Sequence, residues 1–329
     1  MWWVSYRGEG KAGVANIDVF EDDGTPRKVH PLLLDPSHPL KIARGFALVG
    51  EDLYIANAWR KDSNVARYRR NGDTFQFAEI MVTTKDVSAM VHPFDVELGD
   101  DRRVYVSSQD TNTVVAIRPK THKPSVVAAH LRERFPKGNF LPGTVVASSR
   151  GRLPGFDQHS PRNVPSPQGL EVVLDGDGRP RRSVRGIVAR RKHLYVADEA
   201  SDSIKVFELP SGRLVARIKG KELRRPVHLV LHGDILYIGA AGTGSVLAFD
   251  IPMEAPRGKL KARVVVDREL RAPSGIAIGP EGDLYVAERK RARILRFSIK
   301  GKRRGTFIKH LPDMPEFLVY VPDLAQART

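Results

Sequence analysis

Short apolar runs of strand length recur along the whole chain, separated by turns rich in Gly, Asp, Asn and Pro. No segment sustains the 3.6-residue period of an amphipathic helix, so the pattern predicts β-strands joined by hairpins. The run Leu194–Ala197 is apolar at every position, which is typical of a strand packed between neighbouring sheets. The sequence therefore predicts an all-β fold made of many short strands.

The runs are organised as a repeat. Each copy has one apolar run, a tight turn, a second run centred on a tyrosine, and a third run. The clearest copies have their central tyrosines at Tyr54, Tyr105, Tyr195, Tyr237 and Tyr285. A repeat of this length, with three or four strands in each copy, predicts a β-propeller of four-stranded blades.

The two ends of the chain complete the repeat. Residues 2–6 read as a second strand that lacks its first, and residues 314–320 read as a first strand with nothing after it. We therefore expect the N- and C-terminal strands to share one blade and to close the ring, which removes its open sheet edges. On this interpretation residues 1–329 form a single propeller domain.

The number of blades depends on one long interval. The distance from Tyr105 to Tyr195 is about twice that between the other tyrosines, and residues 142–153 align without gaps with residues 273–284. Beyond them the pattern becomes irregular and rich in proline. The region at about 131–183 is therefore either a degenerate blade or an insertion. We expect six or seven blades and slightly favour seven.

Charge and composition narrow the functional classes. The net charge is +16, and the whole of this excess falls within residues 179–310. Such a stretch can attract a polyanion such as RNA, DNA or an acidic polymer, or it can simply solubilise the surface. Because the chain has no cysteine, disulfides and cysteine nucleophiles are excluded. With no apolar run of membrane-spanning length and no recognisable leader, we expect a cytoplasmic protein.

The repeat also carries a family likeness. Residues 273–278 read Pro-Ser-Gly-Ile-Ala-Ile, and residues 282–288 read Gly-Asp-Leu-Tyr-Val-Ala-Glu, echoed at Leu194–Asp198. These units resemble the NHL and YVTN-type β-propeller repeats. They are more distantly similar to the gluconolactonase/regucalcin and virginiamycin B lyase propellers. The resemblance implies a site at one mouth of the central channel that uses a divalent metal or acid–base groups.

Polar side chains are predicted to converge at that mouth. The starts of the first strands and the ends of the second strands meet there, so the mouth is the expected ligand site. Ca²⁺ or Mg²⁺ prefers oxygen ligands, whereas we find no motif for an organic cofactor. The candidate metal ligands are Asp95, Asp198, Glu288, Glu316 and Asn57. Asp198 and Glu288 could instead simply end their strands, accepting backbone or arginine hydrogen bonds.

The remaining candidates would handle protons and substrate. His92 and His228 stand at the starts of first strands, where a histidine can act as a general base or make a structural hydrogen bond. Arginines there could hold an anionic substrate, and a tryptophan could stack on a flat one. The candidate substrate-binding residues are Arg44, Trp59, Arg185, Arg289 and Gln109.

Two classes of function follow from these features. The first is an enzyme acting on a small, anionic molecule at the channel mouth, as a metal-assisted hydrolase, lactonase or lyase. The second is a non-catalytic module that binds a polyanion through residues 179–310 or serves as a protein-interaction scaffold. We favour the first because carboxylates and histidines converge at one mouth.

Overall fold

Antiparallel β-sheets are arranged around a common axis in the computed structural model of the chain. It describes residues 1–8, 13–59, 62–87, 90–119, 124–129, 184–209, 211–252 and 262–322. The strands in chain order are β1 (Trp2–Tyr6), β2 (Ile17–Phe20), β3 (Leu32–Leu33), β4 (Ala43–Val49), β5 (Asp52–Asn57), β6 (Asn64–Asn71), β7 (Thr74–Thr83), β8 (Pro93–Leu98), β9 (Val104–Ser108), β10 (Thr113–Ile117), β11 (Pro124–Ala129), β12 (Val184–Arg190), β13 (His193–Asp198), β14 (Ser203–Glu208), β15 (Leu214–Lys219), β16 (Pro226–His232), β17 (Ile235–Ala240), β18 (Ser245–Asp250), β19 (Arg263–Val266), β20 (Pro273–Ile278), β21 (Leu284–Glu288), β22 (Arg293–Phe297), β23 (Arg303–Ile308) and β24 (Pro315–Tyr320). A 3₁₀ turn, Arg289–Arg291, follows β21. Among the described residues, no helix is long and apolar enough to cross a membrane.

Each sheet is one blade. Blades 2 to 5 are the four-stranded sheets β8–β11, β12–β15, β16–β19 and β20–β23. Blade 1 contains β4–β7 and a short extra strand, β3, which pairs in parallel with β7. Blade 6 joins β24 to β1 and β2, with Trp3 opposite Val319. The two ends of the chain therefore share one blade, as the sequence predicts.

The innermost strands complete a ring of six. In order around the axis β4, β8, β12, β16, β20 and β24 contact one another, and β24 returns to β4. Because β8 contacts β12 directly, no blade stands between them, and the described strands form six blades rather than the slightly favoured seven. The preference rested on the length of the interval, and length alone does not separate a blade from a connecting segment. The region 131–183 itself lies outside the described residues.

The core lies between blades. The central tyrosines of the repeat are buried on second strands, and Trp2 packs with its ring centroid 4.1 Å from that of Tyr285 on the neighbouring blade. Trp3 contacts Phe75 of blade 1 on the other side, with centroids 5.4 Å apart. Burial of apolar side chains on both faces of each sheet is the main stabilising contribution. It also fixes the orientation of the first strands toward the axis.

The first strand of every blade carries a β-bulge near its start, where it gains one residue relative to the second strand. The residue at this level alternates around the ring between glycine and a large side chain. A Cβ on Gly45 would lie 2.7 Å from Asp95 Cα, and one on Gly186 would lie 2.9 Å from His228 Cα. Glycine on odd blades therefore lets the backbone of the next blade approach closely at the residue that carries the large side chain. We call these six residues the bulge layer: Gly45, Asp95, Gly186, His228, Gly275 and Phe317.

Candidate functional site in the central channel

The three large side chains of the bulge layer meet across the channel. Nε2 of His228 lies 3.9 Å from Oδ2 of Asp95, and the Phe317 ring lies edge-on to the His228 ring with centroids 5.0 Å apart. None of the three is more than 9% exposed. Layers built from alternate strands are a usual way to fill a closed β-structure. Here the layer includes an acid and a base.

A cavity of about 350 Å³, which we call the axial cavity, adjoins this layer. Its lining runs from Asp95, His228 and Phe317 toward the ends of the first strands, as far as Leu231 and Tyr320. It therefore lies on the opposite side of the bulge layer from the mouth that the sequence predicts as the site. Most of the wall is aliphatic or aromatic, and the polar side chains are few, which is typical of a small-molecule site.

Asp95 is a buried carboxyl that lines the cavity. Its Oδ2 accepts the Ile187 N–H at 2.9 Å, and its Oδ1 accepts the Val96 N–H at 2.9 Å. Burial raises the pKa of Asp95 to about 7, although both backbone hydrogen bonds lower it. The side chain can therefore exchange a proton near neutral pH, as a general acid or base requires.

Glu97 is a second carboxyl in the same cavity. It stands two residues along β8 from Asp95 and so on the same face of the strand. Burial, and then repulsion from the charge of Asp95, raises the pKa of Glu97 well above its ordinary value. Two acids in one low-dielectric cavity resist being ionised together.

His228 is held as a neutral donor. Its Nδ1 accepts the Ile276 N–H at 3.1 Å, so the neutral ring carries its proton on Nε2. Burial lowers the pKa of His228 to about 4, which keeps the ring uncharged at neutral pH. Among the described residues Nε2 makes no hydrogen bond, and it faces Asp95 at 3.9 Å. The N–H is therefore available to a ligand.

Carboxylates at the predicted mouth are bound by neighbouring cations. Asp198 Oδ2 lies 2.7 Å from Lys205 Nζ, and both side chains are only 1% exposed. Glu288 is fully buried, with Arg293 Nε at 2.5 Å from its Oε2. These charges already form buried ion pairs, which are costly to break.

Glu316 and Asn57 have similar structural neighbours. Glu316 Oε1 lies 3.3 Å from Nη1 of Arg289, which was a predicted substrate ligand. The fully buried Asn57 accepts the backbone N–H groups of Lys41 and Ile42 at 3.3 and 3.2 Å. Among the described residues no group of three or more His, Asp or Glu side chains could hold a metal ion. The Ca²⁺ or Mg²⁺ site therefore stays a prediction.

Two predicted substrate-binding arginines join neighbouring blades. Arg44, 6% exposed, donates to the Tyr6 and Arg7 carbonyl oxygens of blade 6. Arg185 pairs with Glu199 through Nε and Nη2, both at 2.5 Å, and its guanidinium lies 5.2 Å from the centroid of the Phe94 ring. Both arginines therefore help to hold adjacent blades together at this mouth.

His92 occupies a position that the repeat itself strains. Its φ is 57°, and Arg225 and Ala272, which also precede the proline of a first strand, have φ values of 50° and 59°. Left-handed backbone before proline is unfavourable, so its recurrence points to blade geometry rather than to His92 alone. His92 Nδ1 lies 3.4 Å from Asp110 Oδ1.

The last two candidates are Gln109 and Trp59, and the hydrogen bonds described for them are made by their backbone groups. The Gln109 N–H donates to the His92 carbonyl at 3.2 Å, and the Trp59 carbonyl accepts from Asp62 N–H and Ser63 Oγ. Of the predicted site residues, the structure thus brings Asp95 to His228 and Glu316 to Arg289. Glu97 was missed, although the alternation of side chains along β8 places it beside Asp95.

Comparisons with known proteins agree with this architecture. Residues 270–297 match the NHL repeat. The fold is similar to a chain of the nidogen/laminin complex, with 15% identity, 98% of each chain covered and a TM-score of 0.61. It is also similar to a streptogramin B lyase, with 12% identity, 82% of this chain and 70% of that chain covered, and a TM-score of 0.50. Among curated proteins, no match to the chain was found.

At these identities the likeness concerns the fold. The NHL match covers the segment that contains β20 to β22, which is where the sequence motif of the repeat is clearest. Within the part of the chain that the structure describes, this protein is a six-bladed β-propeller with an NHL-type repeat in its fifth blade.

Proposed function

We propose that the protein binds a small molecule in the axial cavity and catalyses a proton transfer on it, as a lyase or hydrolase. The observation that carries the proposal is the approach of Asp95 to His228, 3.9 Å apart beside a cavity of about 350 Å³. Asp95, His228 and Glu97 are its working groups. The similarity to a streptogramin B lyase supports a lyase-type reaction on this fold.

The geometry supports distinct roles for two of these side chains. Asp95 as a carboxylate would remove a proton from the bound molecule, because the pKa of about 7 lets it hold and release one near neutral pH. His228 would donate its Nε2–H to the oxygen on which negative charge develops. A neutral imidazole in that position stabilises an oxyanion without itself having to gain or lose a proton.

Activity would be tested first on streptogramin B and on a set of simple lactones, followed by mass spectrometry. A lyase opens a ring ester without taking up water, so the product keeps the substrate mass, whereas a hydrolase adds one water. We expect the rate to rise with pH through about 7, as Asp95 loses its proton. If a metal assists, adding Ca²⁺ or Mg²⁺ after chelation would restore activity.

The variants Asp95→Asn and His228→Gln should each reduce turnover by about 10²-fold or more. Asp250→Asn is the matched control, because Asp250 is exposed and pairs with Arg263 on the outside of blade 4. Turnover that survives both channel variants, but is lost when Arg289 or Glu316 is replaced, would contradict the proposal and locate the chemistry at the opposite mouth.

The polyanion-binding alternative has less support from the described residues. Several basic side chains within 179–310 bind acids of the propeller itself: Arg225 pairs with Glu199 at 2.6 Å, and Arg296 with Asp283 at 2.8 Å. Paired arginines attract phosphates less strongly than free ones. RNA or DNA binding through this stretch therefore stays a prediction.

A further inference from the structure

The axial cavity has the opposite charge character to the rest of the chain. The protein has a net charge of +16, yet the described lining includes Asp95 and Glu97 and neither lysine nor arginine. A cavity that admits only acids and a neutral histidine disfavours an anionic ligand, because no positive group is there to compensate its charge. The lining therefore favours a neutral or cationic molecule.

The aromatic wall strengthens the case for a cation. Phe46 and Phe317 line the cavity together with Tyr320, whose ring also packs against Trp2 and whose hydroxyl donates to Asp22. The faces of such rings carry negative electrostatic potential and attract organic cations, most effectively where water is excluded. The same wall buries an apolar body, which a cation with alkyl substituents would provide.

The set of oxygen donors distinguishes an organic cation from a metal ion. Ca²⁺ and Mg²⁺ complete six or more oxygen ligands with water and backbone carbonyls, whereas the lining has two carboxyls, Asp95 and Glu97, in a largely apolar wall that offers metal-bound waters few partners. An alkylammonium ion needs far fewer oxygens, because its charge is spread over a larger and more weakly hydrated surface.

His228 adds a requirement for a hydrogen-bond acceptor. It is 9% exposed, lines the cavity and presents its Nε2–H there without a hydrogen-bond acceptor among the described residues. A buried donor left unsatisfied is unfavourable, so a ligand that supplies an oxygen would gain affinity. The acceptor must lie close to the charge, because Nε2 is 3.9 Å from Asp95.

We infer that the cavity binds an organic ammonium ion that carries a neutral oxygen acceptor near its nitrogen, as in an amino alcohol or an amino ester. The ammonium group lies between Asp95, Glu97 and the aromatic wall, and the oxygen accepts from His228. This inference rests on the proposed function, since it names the class of molecule for that same site.

The test is calorimetric titration of the full chain with two probes of matched shape. Choline carries a quaternary ammonium and a hydroxyl oxygen, and 3,3-dimethylbutan-1-ol is its neutral isostere. We expect choline to bind at least about tenfold more tightly, a factor that corresponds to roughly 1.4 kcal/mol. Equal affinity of the two probes, or tighter binding of CaCl₂ or MgCl₂ alone, would overturn the inference.

Binding should also release protons. The titratable groups that face the ligand are Asp95 and Glu97 from β8, His228 from β16 and Tyr320 from β24, with Asp100 near Glu97. A bound cation stabilises the carboxylates and expels the proton they retain when the cavity is empty. Titrations at pH 7 in buffers of different ionisation enthalpy should show this release, and affinity should rise with pH through about 7.

Two variants locate the binding. Glu97→Gln keeps the size of the side chain at a half-buried position, so it should fold, and it should weaken choline binding about tenfold. Asp250→Asn, on the outside of blade 4, should leave it unchanged. Choline binding that Glu97→Gln does not alter would place the cation elsewhere and refute the inference.

The two proposals can fail separately. If choline binds as expected but neither streptogramin B nor any of the lactones is turned over, the cation site stands and the catalytic proposal is wrong. If turnover depends on Asp95 and His228 while choline and its isostere bind equally, the catalytic proposal stands and the ligand class is wrong.

Discussion

The predicted mouth and the axial cavity contain the same kinds of side chain in opposite states. At the mouth Asp198, Glu288 and Glu316 each have a lysine or arginine within 3.3 Å. In the cavity Asp95 and Glu97 have no such cation among the lining residues, and burial raises the pKa of both. A carboxylate neutralised by a neighbour mainly stabilises the fold. One buried without a cation is available to a ligand or a proton.

The buried pair Asp198–Lys205 offers the strongest test of this comparison. Asp198→Asn leaves the Lys205 ammonium buried with its charge no longer balanced by that carboxylate, so we expect a loss of about 3–5 kcal/mol in the free energy of unfolding. Adding Lys205→Met should recover much of this loss, because both charges are then gone. Urea unfolding followed by circular dichroism measures the unmodified chain and the two variants.

The affinity of the same variants for choline is the second measurement, made under conditions in which the variants are folded. If the mouth is structural, affinity should stay within twofold of that of the unmodified chain. A stable Asp198→Asn variant that has lost its ligand would break the comparison, since it would make a paired carboxylate part of the site.

The sequence predicts the ring well because the ring depends on local patterns. Apolar runs such as Leu194–Ala197 and the matching ends of the chain are visible without any knowledge of contacts. The alternation of Gly45, Gly186 and Gly275 with larger residues is also visible, at the third position of each first strand. The contact of Asp95, His228 and Phe317 across the channel depends on the β-bulges, which spacing alone does not reveal.

The site is harder to predict because spacing along the chain does not say which nearby cation will bind a given carboxylate. Several arginines follow Glu288 in the sequence, and the structure shows that Arg293 neutralises it while Glu97 stays beside Asp95. Strand register placed polar side chains at the correct level of each blade. It could not distinguish a carboxylate bound to arginine from one that faces a cavity.

The next prediction concerns how the free energy of unfolding depends on pH, and the expected change is smaller than that for Asp198→Asn. Asp95 has a folded pKa of about 7 against an ordinary 3.8, so its contribution to stability falls as pH rises from about 4 to about 7. Glu97 acts in the same direction. His228 has a folded pKa of about 4 against 6.5, so its contribution rises over about pH 4 to 6.5 and opposes theirs.

Variants separate the opposing contributions. His228→Gln should make stability fall more steeply between pH 4 and 6.5, by roughly 2–3 kcal/mol across that range relative to the unmodified chain. Asp95→Asn should make the fall shallower. Urea titrations at a series of pH values measure both slopes. Identical slopes in the two variants would show that the cavity groups are not perturbed, and the contrast with the mouth would disappear.

Arg185→Lys should change the free energy of unfolding least, and it tests whether a residue of the mouth affects the axial cavity. Burial raises the pKa of Glu199, but Arg185 and Arg225 outweigh it and hold that pKa below its ordinary value. Lysine keeps the charge of Arg185 but loses its two-point contact with Glu199 and its stacking on Phe94. We expect a loss of about 1 kcal/mol in the free energy of unfolding, measured with urea.

The affinity of this variant for choline should not change, because none of Arg185, Glu199 and Phe94 lines the cavity. An affinity that falls in step with stability would mean that the mouth and the cavity act as one site.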